Sequence, residues 1–156
     1  MSLNKSNSLK IFLAIASIVV VAVLGSVFVN LGMDWFDMLD KPMQWIPNIV
    51  IPIMWTIIYI IFGIVLTIWI IKGGIPKDVV VWLIINGVLN VVWCLVFFTL
   101  NLTFVGNIVI VLNLIAGIVL YLRIYRQEPL YAIITSIYPI WLCLATTLNT
   151  ALWILN

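Results

Sequence analysis

Residues 79–122 read VVVWLIINGVLNVVWCLVFFTLNLTFVGNIVIVLNLIAGIVLYL, 44 residues without one charged side chain. A membrane-spanning helix takes about 20 apolar residues at ~1.5 Å of rise each, so a run of this length holds two of them. The turn between them is expected at Thr99-Leu-Asn-Leu-Thr103, where two Thr and an Asn interrupt the apolar run and offer the backbone partners outside a helix. Residues 11–33, 42–71 and 129–156 are uncharged as well. The joints Lys72-Gly-Gly-Ile-Pro-Lys-Asp78 and Arg123-Ile-Tyr-Arg-Gln-Glu-Pro129 combine charge with helix breakers. The reading is an all-α integral membrane protein: a five-transmembrane-helix bundle with segments at about 11–31, 48–71, 79–99, 103–122 and 130–154 and a longer loop at 32–47, forming one domain over 1–156.

Composition agrees. Of 156 residues 66% are hydrophobic, with 7 Lys and Arg against 5 Asp and Glu, and mean hydropathy is +1.33; a soluble domain is about 25% charged. No basic face exists for a nucleic acid, and with no His and only Cys94 and Cys143, both in apolar runs, neither a metal centre nor a disulfide scaffold is indicated. Five spans put the chain ends on opposite sides. Lys5, Lys10, Lys72, Lys77, Arg123 and Arg126 then share one side and Lys41 stands alone on the other, which predicts a cytoplasmic amino terminus and an outward carboxyl terminus. The loop at 32–47, with Asp34, Asp37 and Asp40, would face outward. In a bacterium such a multi-pass protein belongs in the cytoplasmic membrane. The first apolar run is longer than the roughly 7–15 residues of a signal peptide, so it is expected to remain as a helix.

The informative residues are the polar and aromatic ones at membrane depth. Counting ~1.5 Å per residue places Trp55 roughly 11 Å below the outer edge, and Asn90 and Trp141 roughly 13–14 Å below it. Helical spacing groups Trp55 with Tyr59 and Gly63, Trp82 with Asn86, Asn90 and Trp93, and Tyr138 with Trp141, Ala145 and Asn149. Trp35, Trp45, Trp69 and Trp153 suit an interfacial aromatic belt; Trp55, Trp93 and Trp141 lie deeper. Asn86, Asn90, Asn113 and Asn149 can each simply bond between helices. Two amides on one stripe, level with two indoles, also fit a pocket for a flat, mostly apolar ligand. Pro52 and Pro139 either kink their helices or open space beside Trp55 and Trp141.

Three blocks now carry a family resemblance. Trp35-Phe36-Asp-Met-Leu-Asp-Lys41-Pro42-Met-Gln-Trp45-Ile-Pro47 leads into Trp55-Thr-Ile-Ile-Tyr59; the second block is Leu89-Asn90-Val-Val-Trp93-Cys-Leu-Val-Phe97-Phe98; the third is Tyr138-Pro-Ile-Trp141-Leu-Cys-Leu-Ala145-Thr-Thr-Leu148-Asn149. Over nearly its whole length the chain resembles the translocator protein or tryptophan-rich sensory protein (TspO/MBR) family. It departs from the family pattern at Phe36 in place of Tyr, at Asn48 in place of a second Pro, and at Ile137, the family's Pro being shifted to 139. The sterol-recognition pattern of animal members is absent, since no basic residue follows Glu128.

The resemblance implies a homodimer of five-helix protomers, in contact with membrane lipid, that binds porphyrins such as protoporphyrin IX or haem, or another apolar small molecule. Trp55, Trp93 and Trp141 would form the walls, Asn86 and Asn90 would supply hydrogen bonds, and the loop from Trp35 and Phe36 through Trp45 and Pro47 would be a lid. Tyr59, Tyr138 and Ala145 complete the expected ligand set. No cofactor is implied, the porphyrin being ligand or substrate. Two other activities stand beside binding in tetrapyrrole or stress handling. One is light-dependent porphyrin degradation, in which Trp55 and Trp141 would be the catalytic residues, since no acid, base or metal is at hand. The other is facilitated movement of porphyrin or lipid across the membrane. For dimerisation, Gly106, Ala116 and Gly117 offer close helix approach, and packing within one protomer would use them equally well.

Overall fold

The structure, a computed structural model, describes residues 5–43 and 45–156; Gln44 of the expected lid lies outside the described residues. Its elements are α1 (Lys5–Leu31), α2 (Met33–Asp37), α3 (Val50–Ile71), α4 (Lys77–Cys94) continuing into a π-helical turn (Leu95–Thr99), α5 (Thr103–Gln127), α6 (Pro129–Thr135) and α7 (Ile137–Leu155). Five helical segments are long and apolar enough to cross a membrane: α1, α3, α4 with its π turn, α5, and α6 with α7. All five expected spans are present. The first and fourth outrun their uncharged stretches because Lys5, Lys10, Arg123 and Arg126 sit at helix ends, where long basic side chains reach the interface.

The turn at 99–103 has the expected chemistry. Leu100 N–H donates to the Leu95 carbonyl at 2.9 Å and Leu102 N–H to that of Val96 at 3.1 Å. Asn101 then reverses the chain with φ 58°, a left-handed conformation that Asn tolerates. The fifth span differs from the single helix expected. It breaks at Ser136, because Pro139 has no N–H for the Thr135 carbonyl, and Thr135 Oγ1 turns back on the Tyr131 carbonyl at 2.8 Å. Pro52 breaks nothing, since it sits in the first turn of α3, where N–H groups have no intrahelical partner.

Around the bundle, α3 packs on α1, α1 on α4, α4 on α5 and α5 on α7, while α7 meets α3 only sparsely. The ring is thus weakest between α3 and α7. Its outer surface carries exposed Phe12, Ile64, Ile133, Ile140 and Ile154, consistent with lipid as solvent. Inside are two clusters. Towards the basic end, Phe62, Trp69, Tyr131, Tyr138 and Leu142 interlock. Towards the lid end, Phe36, Trp93, Phe97, Phe98 and Leu152 do so. Trp55 packs against both. Trp69, expected in an interfacial belt, is buried edge-on to Tyr131 with ring centroids 5.1 Å apart.

The small residues of α5 serve the protomer itself. Gly106 lies against Phe97 and Gly117 against Leu142, each too close to admit a Cβ without movement, and Ala116 is buried. They leave no exposed small-residue seam for a second copy.

At the lid end Gly32 turns the chain from α1 into α2, its carbonyl accepting from Phe36 N–H at 2.9 Å. A Cβ on Gly32 would stand 1.9 Å from the Phe98 carbonyl oxygen, so lid and π turn touch backbone to backbone. Gly32→Ala is therefore expected to lower stability by about 2–3 kcal/mol through overpacking, read as a lowered thermal midpoint in detergent.

Candidate ligand site

The lid closes on the bundle through aromatic contact and a few hydrogen bonds. Phe36 is buried, with its ring 5.3 Å from that of Phe98 and 5.9 Å from that of Trp45. Lys41 folds over the same ring, Nζ lying 4.7 Å from its centroid and donating to the Phe36 carbonyl at 3.0 Å. Asp40 N–H donates to Asn156 Oδ1 at 3.0 Å, and Asn156 Nδ2 returns a bond to the Asp40 carbonyl at 3.1 Å, clasping the lid to the end of α7. Trp45 Nε1–H donates to Asn48 Oδ1 at 2.8 Å. The replacement of Pro by Asn at 48 thus supplies the acceptor that orients Trp45.

Beneath the lid lies a cavity of about 40 Å³ walled by Trp55, Trp93 and Trp141, with Phe36 and Trp45 above and Ala145 on α7. Six of the sequence-predicted residues converge here. Trp35, Pro47, Tyr59, Asn86, Asn90 and Tyr138 do not line it. Trp35 packs edge-on to Phe97 at 5.6 Å, and Pro47 is exposed. Tyr59 stacks on Trp55 at 6.0 Å but faces a groove between α1 and α3. The reason is helical drift: successive i+4 steps rotate about 40°, so Trp55 points inward while Tyr59 and Gly63 turn towards α1.

Asn86 and Asn90 are bound to neighbouring helices instead. Asn86 Nδ2 donates to the carbonyls of Trp82 at 2.7 Å and Ala116 at 3.1 Å, and its Oδ1 accepts from Tyr138 Oη at 3.0 Å. Asn113 Nδ2 donates to Asn90 Oδ1 at 3.1 Å, and Tyr138 Oη also lies 3.3 Å from Asn113 Oδ1. The interhelical role weighed for single amides is the one both residues have, and the expected hydrogen bonds from Asn86 and Asn90 to a ligand are not supplied from the cavity wall.

A second network stiffens the wall itself. Trp93 Nε1–H donates to Asn149 Oδ1 at 3.0 Å, and Asn149 Nδ2 and Thr150 Oγ1 converge on Asn107 Oδ1 at 3.4 and 2.8 Å. Sequence reading placed Asn149 on the stripe of Trp141 but missed Asn107, an amide inside an uncharged run whose partner is set only by how α5 meets α7. Phe97, Phe98 and Leu148 also line the cavity; each lay inside a motif block without being singled out.

Trp141 completes the geometry. It is 4% exposed, and its Nε1–H has no hydrogen-bond partner among the described residues. Under the lid the chain therefore presents three indole walls, and the Trp141 Nε1–H is one of three buried polar groups without a partner among the described residues, with the hydroxyls of Tyr131 and Thr146.

The model of the TspO/MBR family matches residues 14–154. The chain belongs to this family. It is also 29% identical over 154 residues to the tryptophan-rich protein TspO of Archaeoglobus fulgidus, covering 96% of this chain and 99% of that one. Family membership and five apolar spans together make it a multi-pass integral membrane protein.

Asn149→Ala removes the acceptor of the Trp93 indole. Stability should fall by about 1 kcal/mol. Near-ultraviolet circular dichroism should weaken as Trp93 loses its fixed orientation, while far-ultraviolet helicity stays the same.

Proposed function

We propose that this protein binds a flat, largely apolar tetrapyrrole of the porphyrin class in the cavity under the lid, in tetrapyrrole or stress handling. The observation that carries this reading is a cavity walled by the indoles of Trp55, Trp93 and Trp141, the last with its Nε1–H buried and without a partner among the described residues. An unsatisfied buried donor costs about 1–3 kcal/mol, which a carboxylate or carbonyl oxygen of the ligand would relieve. Indole faces stack on a planar macrocycle, with gains beyond simple area burial. Membership of the TspO/MBR family supports the tetrapyrrole class.

The cavity as it stands is small. Its roughly 40 Å³ is far below the ~300–1,000 Å³ of small-molecule sites, so binding requires the walls or the lid to part. In this reading the basic end faces the cytoplasm and the lid faces outward, in a bacterium across the cytoplasmic membrane. A second copy docks on a face other than the small residues of α5.

Protoporphyrin IX titrated in the dark into detergent-solubilised protein should quench tryptophan fluorescence saturably. Trp141→Phe keeps the aromatic wall but removes the donor, and affinity should fall about tenfold, the equivalent of ~1.4 kcal/mol. Trp153→Phe, on the exposed surface of α7, should leave it unchanged. Equal affinity in wild type and Trp141→Phe would place the site elsewhere.

A further inference from the structure

Phe36 belongs to a segment between two spans, yet it is buried as deeply as the bundle's core. Its ring is 3% exposed and wedged among those of Trp45, Phe97 and Phe98, with centroids 5.9, 6.4 and 5.3 Å away. A loop that only roofed the cavity would rest a single face on it. Here the side chains stand among the walls: Phe36 and Trp45 are two of the twelve residues lining the cavity, and the other ten belong to α3, to α4 with its π turn, and to α7.

Apolar space left empty forfeits the contacts of its lining. With about 40 Å³ remaining against the ~300 Å³ or more of a small-molecule site, side chains now inside have to leave before a macrocycle enters. On α4 and α7 they are held: Trp93 is bonded to Asn149 at 3.0 Å, and the two helices are joined by Tyr138 on Asn86 at 3.0 Å. Phe36 is held differently. Lys41, over its ring and on its carbonyl, is part of the lid and moves with it. Among the described residues, the hydrogen bonds that join residues 33–43 to the far side of the bundle are the two between Asp40 and Asn156, both exposed. At the other end of the segment Gly32 is pinned against the Phe98 carbonyl.

We propose that the lid is an autoinhibitory plug: Phe36, with Trp45 beside it, occupies the space that the tetrapyrrole takes, and the Asp40–Asn156 clasp holds it there, so that lid and ligand compete for one cavity. The inference rests on the binding reading above and turns the lid within it from a cover into a competitor. Binding then breaks the clasp and swings α2 outward about Gly32. The indoles of Trp55, Trp93 and Trp141 exchange the rings of the lid for those of the macrocycle. The apparent affinity is the intrinsic one reduced by the fraction of molecules whose lid is withdrawn.

The test uses the full chain in lipid nanodiscs, with protoporphyrin IX titrated in the dark. Asn156→Ala removes both bonds of the clasp, and Asn156 itself lines no part of the cavity. It should tighten binding about fivefold, the scale of two exposed hydrogen bonds. Phe36→Ala, which withdraws the plug itself, should tighten binding about tenfold. In the wild type, hydrogen exchange over Phe36–Lys41 should speed up when the porphyrin is added, because the Asp40 N–H loses its acceptor. Weaker or unchanged binding in either variant that keeps its helicity, or slower exchange over this segment on binding, shows a lid that covers the ligand; it overturns the plug and leaves the cavity reading intact. Should Phe36→Ala fail to fold, Asn156→Ala and the exchange experiment decide. Absence of saturable binding in the wild type and both variants removes both readings.

Discussion

Everything in this bundle depends on a knot of buried amides. In lipid there is no hydrophobic gain from pressing one apolar helix on another, so close packing and hydrogen bonds decide which helices meet and in what register. Asn86 on α4, Asn90 on α4, Asn113 on α5 and Tyr138 on α7 meet at one level, with bonds of 3.0–3.3 Å crossing three helices. Each group, moved by one turn of any of these helices, would be left unsatisfied in a medium without water. The knot therefore fixes the register of α4, α5 and α7, and Gly117 lets Leu142 and Tyr138 approach close enough to make it.

On that fixed half the cavity is assembled. Trp93 sits one turn beyond Asn90 and Trp141 one turn beyond Tyr138, so both indoles are delivered to the same space, and the Asn149–Asn107 pair holds the first of them. Among the described residues the other half, α1 and α3, shows no equivalent knot, its one side-chain tie to a neighbour being Thr99 Oγ1 on the Phe28 carbonyl at 2.9 Å. Ser17, Thr56 and Thr67 bond to carbonyls of their own helices, and α3 faces α7 with little contact. The molecule is thus tied by hydrogen bonds across α4, α5 and α7 and more loosely closed between α3 and α7. The lid belongs to the rigid side at its ends, through Gly32 against Phe98 and Asn156 against Asp40.

Much of the site was legible from the chain. Trp55, Trp93 and Trp141 were read as deep residues because a belt tryptophan belongs near an interface, and depth is only a matter of counting ~1.5 Å steps. Asn86 and Asn90, open to either a ligand or a neighbouring helix from the sequence, are bonded between helices, since position along a helix says nothing about rotation relative to neighbours. Tyr59 went astray for the same reason, and Asn107 was passed over because its partner Asn149 lies 42 residues away.

By itself the sequence determined the medium, the number of spans, the turn at 99–103 and the layer in which polar and aromatic residues gather. These follow from transfer energies and helical rise, which are properties of each segment alone. Only the tertiary structure decided which amides would be consumed between helices, that Trp141 would keep an unpaired donor, that the fifth span would break at Ser136, and that α3 would leave a groove on one side and a cavity on the other. Those outcomes depend on the rotation and spacing of helices about one another. Rotation is set by the sum of many weak contacts and a few exacting hydrogen bonds, and no single segment contains it.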